Sequence, residues 1–264
     1  MISLKITMSK ETYFTKPSGK EELRVSVDLW KTGLHGKEIG INQQEVHMAK
    51  SNQFTRDMNI IGEIKEKGEE NGTIGVREGI VEQRLVLKAF SGSLTFLGTF
   101  EECVSLELAV KNSIHHAYPV FRVILPRYDY VVELRKAHGG PFIAEKYSFF
   151  MNIDDKFNEF FTINQKRLSR GGDWHVKNSK KEVVAKIDGK MFDIGGEWDV
   201  KIYSPNLAKE KEFVTVLILF AAFRKYEKMV IKRIDKYFKD YKKGKSFEPD
   251  HDELTLYKNP RSKR

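Results

Sequence analysis

The chain has 264 residues, 40% of them apolar and 31% charged, a composition that suits a globular protein with one large domain or two modest ones. The formal net charge of +9 points to acidic partners such as lipid headgroups or nucleic acid, or simply to solubility. A single cysteine, Cys103, excludes an intramolecular disulfide and suits a reducing compartment, while the lack of an 18-residue apolar run excludes a helical membrane span.

The first residues, Met1 to Thr7, alternate like a strand and lack the apolar centre of a signal peptide. Leu23, Val25, Val27 and Leu29 alternate cleanly, so Glu21 to Lys31 is expected to be a half-buried strand. From Gly33 to Gly79 glycine, charge and isolated apolar residues mix, and Glu63 to Gly72 is expected to be a loop or linker. Residues 1–80 are therefore expected to be an N-terminal extension or a small β-rich region, and a surface for protein partners.

From Arg84 the rhythm becomes short apolar runs bounded by glycine, proline or charge. Leu85–Phe90, Leu94–Leu97, Val104–Val110, Val120–Leu125, Tyr130–Leu134, Phe142–Tyr147 and Phe160–Gln165 are each expected to be strands. Residues 85–203 have room for roughly ten to twelve of them, which indicates an antiparallel barrel or sandwich. Gly171-Gly172-Asp173-Trp174-His175-Val176-Lys177 recurs 24 residues later as Gly195-Gly196-Glu197-Trp198-Asp199-Val200-Lys201. In each copy a glycine pair supplies a turn and the next strand alternates, so Trp174, Val176, Trp198 and Val200 are expected to face the core.

Phe213 to Phe223 is apolar except for Thr215, and the flanks read as a helix: Ser204-Pro205 as its start, Glu210 and Glu212 near its positive end. Tyr226, Val230, Ile234, Tyr237 and Tyr241 continue the helical spacing, so one long helix is expected. A helix apolar on every side must be enclosed. A sandwich has no place for it; a closed barrel does, and it also removes exposed strand edges. The expected fold is mainly β, a closed antiparallel barrel of about a dozen strands over residues 84–245, enclosing the hydrophobic C-terminal helix with Leu217 and Ala221 in its core. Residues 246–264 are expected to be a basic, disordered tail.

Thr162-Ile163, Lys166, Leu168-Ser169, Asp173-Trp174 and Val176 resemble the T-I-x-x-K-x-L-S … W-x-V signature of the LURP-one-related proteins, of the tubby C-terminal-like superfamily that also holds the phospholipid scramblases. Ala185, Ile187, Lys190, Trp198 and Val200 continue the pattern, and Leu217 to Phe223 resembles the closing helix of that family. The resemblance spans residues 120–225 and implies a barrel of about a dozen strands around that helix, with a binding or membrane-associated role and no established enzyme activity. No tubby-type phosphoinositide pocket maps onto this chain residue by residue, and the proline-rich scramblase tail has no counterpart.

Two basic stretches are candidate lipid- or phosphate-binding sites. One is Lys166, Arg167, Arg170, Lys177, Lys180 and Lys181 around a turn, where charge-assisted hydrogen bonds could hold phosphates. The other is 224–245, where ten cations stand against three acids; within it Lys232, Arg233, Lys236 and Lys239 are the chosen contacts. With Met229, Val230, Ile234, Tyr237 and Phe238 interleaved, this is a basic amphipathic helix, the kind that lies on anionic membranes or packs by its apolar stripe on its own barrel.

Metal and catalytic readings find little support. His115-His116 lacks a third ligand, Asp250-His251-Asp252-Glu253 lacks the glycine-centred loop of a calcium site, and Cys103 reads as a buried small hydrophobe. No nucleophile elbow, phosphate-cradling loop or triad spacing occurs, so no catalytic residue, cofactor or metal is expected. The expected protein is a monomeric, non-enzymatic adaptor that meets anionic phospholipid headgroups, in the cytoplasm or at a membrane surface. The alternatives are a nuclear or nucleic-acid interaction protein using the same charge, and a protein–protein scaffold.

Overall fold

The computed structural model describes residues 17, 19–30, 52–114, 116–137, 145–153, 157–166, 172–190 and 196–258. The strands are β1 (Leu23–Leu29), β2 (Met58–Glu66), β3 (Glu69–Arg77), β4 (Val86–Ser91), β5 (Phe96–Glu102), β6 (Val120–Ile124), β7 (Val132–Ala137), β8 (Lys146–Ile153), β9 (Phe157–Gln165), β10 (Trp174–Lys177), β11 (Val183–Gly189) and β12 (Glu197–Ile202). The helices are α1 (Val104–Ile114), α2 (Pro205–Lys209), α3 (Lys211–Phe223), α4 (Glu227–Lys242) and α5 (His251–Lys258). Every strand pairs with its sequence neighbours, and β1 closes the ring on β12, with Val25 opposite Val200 and Val27 opposite Trp198. The fold is thus a closed antiparallel barrel of twelve strands, as the alternating runs and the need to hide edges led one to expect.

Three strands come from before residue 80, so the expected boundary near residue 84 does not divide the molecule. The expected linker, Glu63 to Gly72, is the β2–β3 hairpin, turned by Lys67 and Gly68, both at positive φ (54° and 86°). Such a two-residue turn matches the twist of the strands it joins. Gly72 misled because it sits where neighbouring backbone crowds in: a Cβ there would lie 2.2 Å from the Phe90 carbonyl oxygen, as one at Gly62, just before the segment, would lie 2.3 Å from that of Asp28.

Helix α3 is buried along nearly its whole length. Phe213 meets Phe149 and Phe161, Phe220 meets Tyr147 and Trp174, and Phe223 meets Phe100 and Phe121. The helix also touches β1, β4, β5 and β12, so strands from all round the ring meet it. Leu217 and Ala221 are fully buried, and the one buried polar side chain of the helix, Thr215, donates its hydroxyl to the Lys211 carbonyl at 2.8 Å. Trp174, Val176 and Val200 are fully buried too, in the phase read from the repeat. Trp198 differs: it is half-buried and its ring folds back over its own turn, where a Cβ at Gly196 (φ 105°) would lie 2.3 Å from it. Gly196 is therefore a seat for the ring as well as a residue at positive φ.

Three further expectations are corrected. Val104 to Val110 is helix α1, not a strand, because Glu253 caps its first turn, accepting from Ser105 N at 2.8 Å, and α4 packs along it. The single long helix is broken twice, at Glu210, which is extended, and at Arg224 to Tyr226, after which α4 lays Val230 and Ile234 against the same core. The tail carries α5, whose Leu256 is buried against Cys103, Val120 and Ile124. Residues 259–264 lie outside the described residues.

Replacing Leu217 with Lys places an ammonium where it has neither water nor a partner, at a cost of several kcal/mol. The variant is expected to be insoluble or molten, which loss of the near-ultraviolet circular dichroism signal checks; a soluble protein with native dichroism would contradict the packing described for α3.

Candidate anionic-surface site

Helix α4 divides its residues by face. Val230, Arg233 and Ile234 are buried, and Lys111 of α1 reaches Asp235 at 2.7 Å across the helix pair. On the opposite face Lys228, Lys232, Lys236, Lys239 and, at the C-cap, Lys243 are exposed. Their spacing of three and four places them in one file, about 22 Å long at 1.5 Å per residue. Lys232, Lys236, Lys239 and Lys243, with Asp235 and Asp240 between them, line a shallow depression of about 410 Å³. The acids that could neutralise them are engaged elsewhere: Glu227 with Tyr147, Arg224 and Lys136, Asp235 with Lys111, and Asp240 with Lys245 at 3.2 Å. None of the five lysines has an ion-pair partner among the described residues.

Not every expected contact joins this file. Arg233, chosen from the sequence as a lipid contact, is only 6% exposed; it pairs with Glu102 and donates to the Val81 carbonyl at 2.6 Å. One residue along the helix from Lys232 is a rotation of about 100°, enough to turn a cation from water to wall. The basic turn also comes apart. Lys166 is exposed at the end of β9, its N–H bonded to the Asp173 carbonyl at 2.8 Å, whereas Lys180 and Lys181 lie in the β10–β11 turn at the other end of β10. Four strand residues separate them, about 13 Å. Lys177 is half-buried, and Arg167 and Arg170 lie outside the described residues. Lys228 and Lys243 belong to the site but were not singled out from the sequence; the signal was their continuation of the same helical spacing.

Where α3 gives way to α4, the Arg224 guanidinium stacks over the buried Trp174 ring, 4.3 Å from its centroid. Tyr147 donates to Glu227 there, and burial followed by the Glu227 charge pushes the Tyr147 hydroxyl pKa well up. This polar cluster closes one end of the aromatic core and starts α4 in a set direction.

A second layer of charge lies under α1, α4 and α5 on the outside of β4 and β5. Arg84 pairs with Glu101 at 2.9 Å and with Asp250, and Asp252 pairs with Arg77. Asp250 also accepts from the N–H groups of Asp252 (2.8 Å) and Glu253 (3.0 Å), so the acidic run read from the sequence caps α5 and ties it to two arginines. Glu107 is fully buried; it accepts from Val120 N at 2.9 Å, and burial together with the nearby Glu102 raises its pKa well above the carboxylate range. Burial likewise raises Glu253 and the Cys103 thiol, and a thiol so shifted is a poor nucleophile. Among the described residues no group of His, Cys, Asp and Glu has the arrangement to hold a metal ion; His116 is exposed and His115 lies outside those residues.

With this geometry in view, comparison with known proteins finds no match: no family model, no curated protein and no solved structure aligns significantly with the chain.

Two outcomes test the division of charge. Arg233→Ala strands Glu102 in a buried position and is expected to cost about 3–5 kcal/mol, whereas Lys236→Gln is expected to stay within about 0.5 kcal/mol of the parent. Denaturant unfolding of both variants checks this. The Glu107 carboxyl, with its folded pKa above its unfolded one, favours the fold while protonated and opposes it as pH rises from about 4.5 through the folded value. Glu107→Gln keeps the acceptor for Val120 N and cannot ionise. Relative to the parent it is expected to gain stability between pH 5 and pH 8.5; a difference independent of pH would show that Glu107 does not titrate in the fold.

Proposed function

We propose that the protein is a non-enzymatic adaptor that attaches reversibly to anionic phospholipid surfaces through the lysine face of α4. The observation that carries this is a file of five exposed lysines on one helix face, with the acids of that helix all drawn to other partners. A straight row of exposed ammonium groups suits a flat anionic plane. Each lysine held near such a plane contributes about 1 kcal/mol, fading within a Debye length of about 8–10 Å. Several of them give weak, salt-sensitive attachment rather than anchorage. Among the described residues no helix is long and apolar enough to cross a membrane. The LURP-one-related and tubby-like resemblance of the Thr162–Val176 pattern favours the same reading, and the anionic cytoplasmic leaflet is the surface it would meet.

Nucleic acid is the second reading, and two of the three aromatic side chains of α4 weigh against it, Tyr241 being the exposed exception. Tyr237 is bonded to the Gln83 carbonyl at 3.1 Å, and Phe238 lies between the ammonium groups of Lys111 and Lys242, each 5.2 Å from its ring. Rings held this way are poor platforms for stacked bases.

The test replaces Lys232, Lys236, Lys239 and Lys243 together with glutamine and leaves Arg233 in place, since it belongs to the fold. Vesicles of phosphatidylserine and phosphatidylcholine are expected to bind this variant at least tenfold more weakly than the parent, and parent binding is expected to fall steeply from low to physiological salt. Undiminished binding by the variant would remove this face as the contact. Equal competition by heparin or DNA would favour the nucleic-acid reading.

A further inference from the structure

Beneath and around α1 most buried charges find an opposite charge, a carbonyl or a hydroxyl. Arg84, ahead of β4, meets Glu101 of β5 and Asp250, Arg233 of α4 meets Glu102 of β5, and Lys111 of α1 meets Asp235 of α4. Arg122 of β6 is taken by the Leu256 carbonyl at 2.7 Å and the Tyr257 ring, and Glu253 of α5 by the N–H and hydroxyl of Ser105. Glu107, in the first turn of α1, finds none of these. It is fully buried, its Oε1 accepts from Val120 N at 2.9 Å, and its Oε2 has no partner among the described residues.

What faces Glu107 is a second carboxyl group. Glu102 lies within hydrogen-bonding reach of it and is equally buried. Glu102 is already held as a carboxylate: its Oε2 accepts from Leu85 N at 2.6 Å and from Arg233 Nη2, and its Oε1 from Arg233 Nε at 3.3 Å. Two carboxylates side by side offer each other only lone pairs, and their like charges oppose ionisation of both. A proton on Glu107 removes both faults, because Oε2 becomes a donor and Glu102 its acceptor. Hydrogen bonds between a carboxyl and a carboxylate are short and strong. Glu107 then ties α1 to β6 through Val120 N and, by way of Glu102 and Arg233, to α4.

We propose that Glu107 and Glu102 share a single proton, and that this proton is a latch fastening α1, and with it α4, to the barrel wall. Its loss to solvent in alkaline solution leaves two like charges beside one guanidinium, and α1 and α4 then loosen together while the barrel stays closed. Glu107 carries the proton, since burial and the Glu102 charge both favour its neutral form. The latch does not depend on the lysine face meeting lipid, although α4 carries both.

Infrared spectroscopy of the full chain reads the proton, because the carbonyl stretch of a neutral carboxyl lies apart from carboxylate and amide bands. Hydrogen exchange followed by mass spectrometry, corrected for the intrinsic effect of pH, reads the helices. From about pH 6 to about pH 9.5 the carboxyl band is expected to fade, and peptides covering α1 and α4 to lose protection at least tenfold while β8 to β10 keep theirs. Glu107→Gln is expected to lack the band and to hold both helices closed throughout, because its amide donates to Glu102 at any pH. Glu253→Gln is expected to keep both the band and the opening. Should Glu107→Gln fail to fold, the parent still decides, since the latch requires band and protection to change together. A parent without the band, a band that persists across the interval or that Glu253→Gln removes, helices that stay closed as it fades, or unchanged opening in Glu107→Gln would each overturn the proposal.

Discussion

Enclosure of α3 is the constraint on which the rest of the structure depends. Ten of its thirteen residues are buried, and a helix with apolar side chains on all faces has no stable position at a surface. A closed ring of strands meets that demand because each strand offers an inward side chain at every second residue. The strands answer with aromatics on one side, at Tyr147, Phe149, Phe161 and Trp174, and with aliphatic residues such as Val25, Val27 and Val200 on the other. Closing the ring also requires the chain before residue 80, since without β1, β2 and β3 the wall beside β12 and β4 would be open.

The barrel is filled by its own side chains, and the candidate chemistry lies on the helices packed against it. The connections at the end where α3 emerges are elaborated into α1, α4 and α5, and charge is sorted between them and the wall. Arginines 84 and 233 go inward to meet glutamates 101 and 102, while the lysines of α4 remain in water. That choice of residue suits the chemistry, because a guanidinium keeps its charge when buried and offers several donors, whereas an ammonium is strongly hydrated. The same helix then presents a basic file on one side and, beside Tyr237, covers an acidic aromatic cleft on the other.

The C-terminal helix α5 is held by features of several kinds at once. Asp250 caps it and pairs with Arg84, Asp252 reaches Arg77, Arg122 bonds to the Leu256 carbonyl at 2.7 Å, and Leu256 fills a small apolar pocket by Cys103. In exchange, Glu253 caps α1. A side chain of α5 thus completes the start of α1 from 148 residues away, and each helix is too short to be stable in isolation.

What the sequence determined by itself follows from periodicities that no tertiary contact can reverse. The apolar run from Phe213 to Phe223 had to be buried, the alternation of runs such as Leu85–Phe90 and Val120–Leu125 favoured half-buried strands, and Trp174 had to share a face with Val176 and point inward. Lys232, Lys236 and Lys239 shared a helical spacing opposite Val230 and Ile234, which already put them towards solvent. Tertiary structure decided the rest wherever local preference was nearly balanced. Val104 to Val110 alternates well enough for a strand, and only a cap supplied by Glu253 and packing against α4 make it helical. Glycine and charge made 63–72 read as a loop, because the backbone of β4 that Gly72 admits is remote in the chain. Arg233 looked like one more exposed cation, since nothing near it reveals that Glu102 waits at the wall, 131 residues earlier. The acids of 250–253 looked like a loose acidic run for the same reason: their partners, Arg77, Arg84 and Ser105 N, are brought to them only by closure of the barrel.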